Sequence, residues 1–252
     1  MLEVSDLCLQ RGTGFSLNIP QWQALPGQVW AILGTNGSGK STLLKLLCGD
    51  EVSAGSVLLH QRPLEQWSHR ERACHLGVLP QSNNLTFGFS AEEVVALGLT
   101  PLTVGWREGR QMVRSMMLAT DCAHLRSAKY PALSGGEKQR VQLARVLVQL
   151  SQAEQEPVLL LDEPTSAQDL GQQHRLLGLA TDLAATRHFC VVTILHDLNL
   201  ALRYAGHCML LSQGEAVASG PPSMVINHAS IQRYWGYSAQ ILTSESGRKV
   251  VA

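Results

Sequence analysis

The sequence predicts an α/β fold in which a largely parallel sheet is interrupted by one helical insertion. Short, nearly continuous apolar runs alternate with longer stretches of helical spacing, as expected for strands covered by helices on both faces. Three runs carry this prediction, namely Val29 to Leu33, Val158 to Leu161 and Phe189 to Leu195. Between the last two, the stretch from Leu170 to Arg187 repeats its leucines and alanines at helical spacing.

The middle of the chain differs from the two ends. From about Glu92 to Tyr130 it is rich in Ala, Leu, Met and Val and has few strand signals, so we expect a helical subdomain there. Gly-, Pro-, Ser- and Asn-rich stretches flank it, as loops and hinges do. Near the end of the chain, MLLSQGEAV predicts a hairpin around its Gln-Gly turn. The interpretation is a single domain, 1–252, with its core at 1–81 and 134–252 and its helical subdomain at 82–133.

Composition excludes several classes of protein. Of the 252 residues, 45% are hydrophobic and 16% are charged, which excludes a disordered chain. Lys and Arg together number 20, as do Asp and Glu, so the basic surplus of a general nucleic-acid binder is absent. The six cysteines include no C-x-x-C pair, and we expect reduced thiols. We expect no signal peptide, and no stretch approaches the roughly 18 apolar residues of a membrane span.

A phosphate-binding loop follows the first buried run. The segment GTNGSGKST matches G-x-x-x-x-G-K-[S/T] between the predicted strand and a helical run. Its backbone N–H groups can converge on phosphate at the positive end of that helix. We expect Lys40 to neutralise the β- and γ-phosphates and the Ser41 hydroxyl to reach Mg²⁺. The predicted nucleotide contacts are Gly34, Thr35, Asn36, Gly37, Ser38, Gly39, Lys40, Ser41 and Thr42.

Polar residues also end the second and third runs. Asp162 and Glu163 follow Leu161 at the edge where ligands bind in open α/β sheets. We expect Asp162 to hold Mg²⁺ and Glu163 to polarise the water that attacks the γ-phosphate. The alternative is an Asp that caps the next helix. His196 follows Leu195, and we interpret it as a γ-phosphate contact, with a purely structural histidine as the alternative.

A second glycine-rich nest lies at LSGGE, residues 133–137, at the start of another predicted helix. One chain already has a phosphate loop, so a second nest makes sense if it closes on the nucleotide of another subunit. Together with GTNGSGKST and LLLDEP, this segment resembles the nucleotide-binding subunits of ABC transporters over nearly the whole chain. The resemblance implies a P-loop, RecA-like core with an N-terminal antiparallel β part, and ATP and Mg²⁺ as cofactors.

The resemblance also implies roles for single residues. Gln81 matches the family's glutamine that contacts Mg²⁺ or the attacking water, and His196 matches its switch histidine. Two subunits pack head to tail in this family, so that each ATP lies between one phosphate loop and the partner's LSGGE segment. The loop after the acid pair keeps Asp169, which faces the partner, but has Gln168 in place of the usual Leu. The implied set is Glu163, His196 and Gln81 for catalysis, Ser41, Gln81 and Asp162 for Mg²⁺, and Ser134, Gly135, Gly136 and Asp169 for the partner's nucleotide.

One feature of the family is missing from the sequence. The family usually stacks adenine on an aromatic residue near the first strand, and no aromatic residue lies around Leu9-Gln10-Arg11. Arg11 is a candidate replacement because arginine stacks on flat π-systems. A solvated surface charge is the alternative.

The resemblance further implies partners in a membrane. These are permease subunits on separate polypeptides and, in the full system, a periplasmic substrate-binding protein, with this chain on the cytoplasmic face of a bacterial inner membrane. The loop at residues 83–90 carries Phe87 and Phe89 and is a candidate docking site for a permease helix. Burial of these rings in the subdomain core is the alternative.

The cargo is indicated by resemblance alone. The segments LPQSNNLTFGFSAEEVVALGLTP, TDCAHLRSAKYPALSGGEKQRVQLARVLVQL and ILHDLNLALRYAGHCMLLSQGEAVASG look most like the ATPase subunits of bacterial haem importers. Close relatives that serve cobalamin and ferric siderophores are similar and remain alternatives. A soluble ABC ATPase outside transport is disfavoured by the single cassette and the absence of a heptad run. The nine histidines are scattered, so we do not expect this chain itself to bind haem.

Overall fold

The computed structural model describes residues 1–12, 14–81, 87–166, 168–244 and 247–252. The strands of its main sheet are β1 (Leu2–Arg11), β2 (Phe15–Ala24), β3 (Val29–Leu33), β4 (Ala54–Leu59), β5 (Arg62–Pro63), β6 (Leu76–Leu79), β7 (Val158–Leu161), β8 (Cys190–Ile194), β9 (His207–Ser212) and β10 (Glu215–Gly220). A separate antiparallel pair consists of β11 (Ile241–Thr243) and β12 (Lys249–Val251). The α-helices are α1 (Lys40–Cys48), α2 (His69–His75), α3 (Ala91–Ala96), α4 (Trp106–Ala119), α5 (Gly135–Gln149), α6 (Leu170–Arg187), α7 (Leu198–Tyr204), α8 (Pro222–Val225) and α9 (His228–Trp235).

The ten strands of the main sheet lie in the order β5-β4-β1-β2-β10-β9-β3-β8-β7-β6. From β9 to β6 all neighbouring strands are parallel, and from β5 to β2 they are antiparallel. The three apolar runs form the adjacent strands β3, β8 and β7, in which every residue is buried. The prediction of a mostly parallel core with an antiparallel N-terminal part is therefore confirmed.

The predicted hairpin near the end of the chain is β9–β10. Its turn contains Gln213 with φ +50° and Gly214 with φ +80°, the left-handed conformations that suit a tight hairpin. The Gly214 carbonyl accepts a hydrogen bond from the Asn18 backbone N–H at 2.8 Å. This contact lies beside a parallel pairing of Glu215 with Asn18, which joins the antiparallel part to the parallel core.

The sheet is covered on both faces. Along β3, Val29, Ala31 and Leu33 pack into one apolar cluster, and Trp30 and Ile32 pack into another on the opposite face. The leucines of α6 cover the first face and those of α1 cover the second. This two-sided burial explains why the strands read as continuous apolar runs rather than as alternating patterns.

The helical insertion has an apolar cluster of its own, formed by α3, α4 and one face of α5. On α5, Val141, Ala144 and Val148 face this cluster, whereas Leu143 and Leu147 face the cluster under the sheet. The helix α5 therefore packs against both parts of the molecule. Residues 82–86, where the insertion is predicted to begin, lie outside the described residues.

The described part of the chain shows two further features that bear on function. No described helix combines the length and the apolar composition that a membrane crossing needs. All six cysteines are free thiols, and burial raises the pKa of Cys48, Cys190 and Cys208 to about 12. These thiols are therefore protonated and unreactive at neutral pH.

Candidate functional site

The phosphate loop connects β3 to α1 and depends on glycine at two tight positions. Gly34 has φ +145°, and a Cβ there would lie 2.2 Å from the Leu211 carbonyl oxygen. Gly39, the N-terminal cap of α1, has φ +104°, and a Cβ there would lie 2.9 Å from the Leu17 side chain. Only glycine fits these positions, so the loop can wrap closely around a group at the start of α1.

Lys40 lies inside this loop and is 5% exposed. Its ammonium group donates hydrogen bonds to the carbonyl oxygens of Gly34 and Thr35, both at 2.9 Å. Burial lowers the pKa of Lys40, and the nearby carboxylates of Glu163 and Asp162 oppose that shift. A buried cation held by carbonyl dipoles is well placed to bind a polyanion such as a nucleotide phosphate.

Asp162 leaves the end of β7 and faces the start of α1. The Ser41 hydroxyl donates a hydrogen bond to Asp162 Oδ1 at 3.3 Å. Burial raises the pKa of Asp162, and the charge of Glu163 raises it further. The Ser41 hydroxyl and the Asp162 carboxylate are adjacent oxygen ligands of the kind that a small divalent cation such as Mg²⁺ prefers.

Glu163 is the meeting point of three strand ends. Its Oε2 accepts a hydrogen bond from Gln81 Nε2 at 2.6 Å, and its Oε1 lies 2.6 Å from His196 Nε2. The Glu163 side chain is 15% exposed, and its backbone has φ +48°, an unusual value for a residue with a side chain. The structure therefore brings the three predicted catalytic side chains into one cluster beyond β6, β7 and β8.

The cleft beside the loop has a volume of about 400 Å³. Its lining residues are Arg11, Phe15, Asn36, Gly37, Gly39, Lys40, Ser41, Thr42 and Glu163. Six of the nine predicted loop residues and Glu163 thus share one cavity, whereas Gly34, Thr35 and Ser38 do not line it. None of the described residues of LSGGE lines it, and neither does Asp169.

Ser134 and Asp169 instead begin helices. Ser134 Oγ accepts a hydrogen bond from the Glu137 backbone N–H at 3.4 Å, and the Glu137 carboxylate accepts one from the Ser134 N–H at 2.8 Å. This reciprocal capping box leaves Gly135 exposed and Gly136 half-buried at the start of α5. Asp169 caps α6 by accepting a hydrogen bond from the Gln172 N–H at 2.9 Å. Both motifs lie apart from the cleft of their own chain.

Sequence reasoning missed one residue of the cleft. Phe15, at the start of β2, lies directly opposite Arg11 in the β1–β2 pairing, and its ring approaches Gly39. Arg11 forms an ion pair with Glu51, so its charge has a partner at the cleft wall. The signal that could have identified Phe15 is the hairpin pairing, which brings a residue four positions beyond Arg11 to the same edge.

Comparisons with known proteins identify similar sequences and folds. The family model described as ABC transporter matches residues 17–166. The chain is 50% identical over 246 residues to the hemin import ATP-binding protein HmuV of Shewanella denitrificans, covering 97% of each chain. It is 48% identical over 236 residues to the HmuV of Vibrio cholerae, covering 94% of this chain and 91% of the other.

Among solved structures, the chain is similar to cbiO1 of Clostridium perfringens, which is described as part of the ABC transporter complex cbiONQ. The TM-score is 0.77 at 27% identity, and 92% of each chain is covered. The same arrangement of sheet and helices is therefore found in a solved relative.

Proposed function

We propose, from the premise that this chain belongs to the ABC transporter family, that it is the ATP-hydrolysing subunit of a bacterial hemin (haem) importer. The observation that carries this proposal is the position of Glu163. One of its carboxylate oxygens contacts Gln81 and the other contacts His196. Glu163 also lines the cleft that contains Lys40 and Ser41. A carboxylate so placed beside a phosphate loop is suited to polarising water for attack on a γ-phosphate.

The phosphate loop, Glu163 and the side chains around Glu163 each have a proposed role in hydrolysis. The backbone of the loop and Lys40 bind the phosphates and stabilise the charge that develops on them. Glu163 accepts a proton from the attacking water, and Gln81 and His196 hold its carboxylate in position. Ser41, Gln81 and Asp162 would hold Mg²⁺, which when bound neutralises phosphate charge.

We further propose that two copies of this chain complete each site. Ser134, Gly135, Gly136 and Asp169 do not line their own cleft, and they begin two helices whose N-termini favour anions. A head-to-tail dimer would place these residues on the nucleotide of the partner chain. ATP binding would then close the dimer, and hydrolysis would reopen it.

The proposed membrane partners are permease subunits and a periplasmic binding protein, with this chain at the cytoplasmic face of the inner membrane. Phe87 and Phe89 are 67% and 39% exposed at the entrance to the helical insertion, which favours docking over burial for these rings. Residues 83–86 of the candidate docking loop lie outside the described residues.

Haem is the proposed cargo because the similar relatives are named hemin import proteins at 50% and 48% identity. The experiment is reconstitution of the chain with its permease and binding protein in lipid vesicles, with haem, cobalamin or a ferric siderophore supplied. We expect haem alone to stimulate ATP hydrolysis and to be taken up. Stimulation by cobalamin or a siderophore instead would overturn the cargo, and hydrolysis that none of the three stimulates would favour a role outside haem import.

A further inference from the structure

The segment after β10 returns to the catalytic side of the molecule. Its antiparallel pair β11–β12 lies against α7, the helix that begins directly after His196 and Asp197. Ile241 and Val251 are half-buried against the apolar cluster on that face of the sheet. The pair is therefore packed against the helix that follows His196.

One side chain joins this pair to α7. The Asn199 amide donates from Nδ2 to the Val251 carbonyl at 3.0 Å, and its Oδ1 accepts from the Val251 N–H at 2.8 Å. Gln240 and Ala252 exchange both of their backbone hydrogen bonds, so Val251, one residue away, directs its N–H and C=O away from β11. Asn199 therefore takes the place of a third strand, which requires a side chain that both donates and accepts.

The backbone of Asn199 is part of the connection to the catalytic cluster. Its N–H donates to Asp197 Oδ1 at 2.7 Å, and the Leu200 N–H donates to the same oxygen at 3.3 Å. Asp197 is adjacent to His196, whose Nε2 lies 2.6 Å from Glu163 Oε1. These hydrogen bonds thus link Val251 to the start of α7 and to Asp197, and the peptide bond from Asp197 to His196 completes the connection to the histidine on Glu163.

We propose that Asn199 is a positioning residue, through which β12 holds the start of α7 and so keeps His196 on the Glu163 carboxylate. The inference depends on the proposed ATPase function. It assigns the tail of the chain a part in the rate of hydrolysis rather than in nucleotide binding, because none of the described residues from 221 onwards lines the nucleotide cleft.

Two substitutions test the link from its two sides in the assembled transporter. Asn199→Leu keeps the approximate volume and removes both hydrogen bonds. Of the two hydrogen bonds to Asn199, Val251→Pro removes only the one donated by the N–H, at an outward-facing position of an edge strand where proline is tolerated. We expect each to lower kcat roughly tenfold, within what misplacement of a catalytic group costs, with KM for ATP unchanged. Lys249→Ala is the matched control, because Lys249 lies in the same strand but bonds the Ser223 carbonyl instead of α7.

The decisive measurement repeats Asn199→Leu in a His196→Ala background, with single-turnover rates corrected for the folded fraction. If Asn199 acts through His196, the substitution has no further effect there. An equal fall in both backgrounds, or an unchanged kcat in the single variants, would overturn the proposal. If Asn199→Leu does not fold, Val251→Pro is used in the same comparison. Absence of hydrolysis by the unmodified transporter would refute the proposed function itself, which separates the two failures.

Discussion

At the scale of single residues, Glu163 combines a demanding backbone with two short side-chain contacts. A left-handed conformation costs about 1–2 kcal/mol for a residue with a Cβ, and interactions of the surrounding strands must offset this cost. The conformation turns the chain sharply after Asp162, so that the two neighbouring carboxylates have different partners.

We expect Glu163→Gln to retain ATP binding and to lose at least about 100-fold in turnover, because the amide cannot accept the proton of the attacking water. The trapped nucleotide should hold a closed dimer, visible by gel filtration with ATP. Glu71→Gln is the matched control, since Glu71 belongs to a capping box where glutamine also serves. Near-normal turnover in Glu163→Gln would contradict the proposal that Glu163 accepts the proton of the attacking water.

Phe15 is the side chain most suited to contact a base at the cleft. We expect Phe15→Ala to raise KM roughly tenfold for ATP and GTP alike, because stacking on an aromatic ring is tolerant of base identity. Arg11→Ala should change KM less, since Arg11 already has Glu51 as its partner. A larger effect of Arg11→Ala than of Phe15→Ala in steady-state kinetics would reverse this assignment.

The residues that could be predicted from sequence share one property. Glu163 and His196 each lie just beyond a predicted apolar run, and parallel strands end at a common edge, so their meeting could be expected from the runs. Gln81 was implied by the family resemblance alone, and it lies just beyond β6 at the same edge. Phe15 and Asn199 could not be found in this way. The position of Phe15 depends on the register of the β1–β2 hairpin, which the apolar runs do not give. The contact of Asn199 depends on a strand 52 residues further along the chain and leaves no local pattern.

At the scale of elements, three helices begin with the same capping box, in which Ser68, Ser90 and Ser134 pair with a glutamate three positions later. One of them coincides with the LSGGE segment. Ser134 therefore has two roles, one in the stability of α5 and one in the proposed contact with the partner's nucleotide.

Comparison of Ser68→Ala with Ser134→Ala separates the role in helix stability from the role in the proposed nucleotide contact. Each substitution removes an equivalent cap and should lower the free energy of unfolding by about 1 kcal/mol. Only Ser134→Ala should also abolish ATP-dependent dimerisation in a Glu163→Gln background. Thermal unfolding and gel filtration measure the two effects, and loss of dimerisation in both variants would attribute it to stability alone.

The helix α5 also shows where sequence patterns fail to define boundaries. Its opposite faces belong to different apolar clusters, so its sequence is apolar on two sides. This pattern does not indicate to which part of the molecule the helix belongs. The division after residue 133 is therefore a proposal, and the packing of α5 against both clusters is the physical reason why its sequence marks no break there.

At the scale of the whole molecule, the ionisation of Asp162 couples the stability of the fold to pH. The pKa of Asp162 is raised, chiefly by burial and then by Glu163, from an ordinary value of 3.8. An acid with a raised folded-state pKa binds more protons folded than unfolded, so stability falls as pH rises through that folded-state pKa.

Asp162→Asn should therefore raise the Tm of the nucleotide-free protein at neutral pH, and the gain should shrink as pH falls towards 3.8. Asp182→Asn, at an exposed position on α6, is the control and should show no such trend. With Mg²⁺ and ATP the order should reverse, because ligand that binds only the folded wild type stabilises it. An Asn variant less stable than wild type without nucleotide would contradict the charge argument.

The strand order of the parallel core has a consequence for how the protein forms during synthesis. The phosphate loop follows β3, but the neighbours of β3 are β8 and β9, and Val29 pairs with Val191 while Trp30 pairs with His207. About three-quarters of the chain must leave the ribosome before either neighbour exists, and closing such long loops is slow. The phosphate loop is synthesised early, but it can take its folded shape only after β8 and β9 have been made. Until β9 emerges, the new chain should therefore be unable to bind nucleotide, and its apolar strands should need protection.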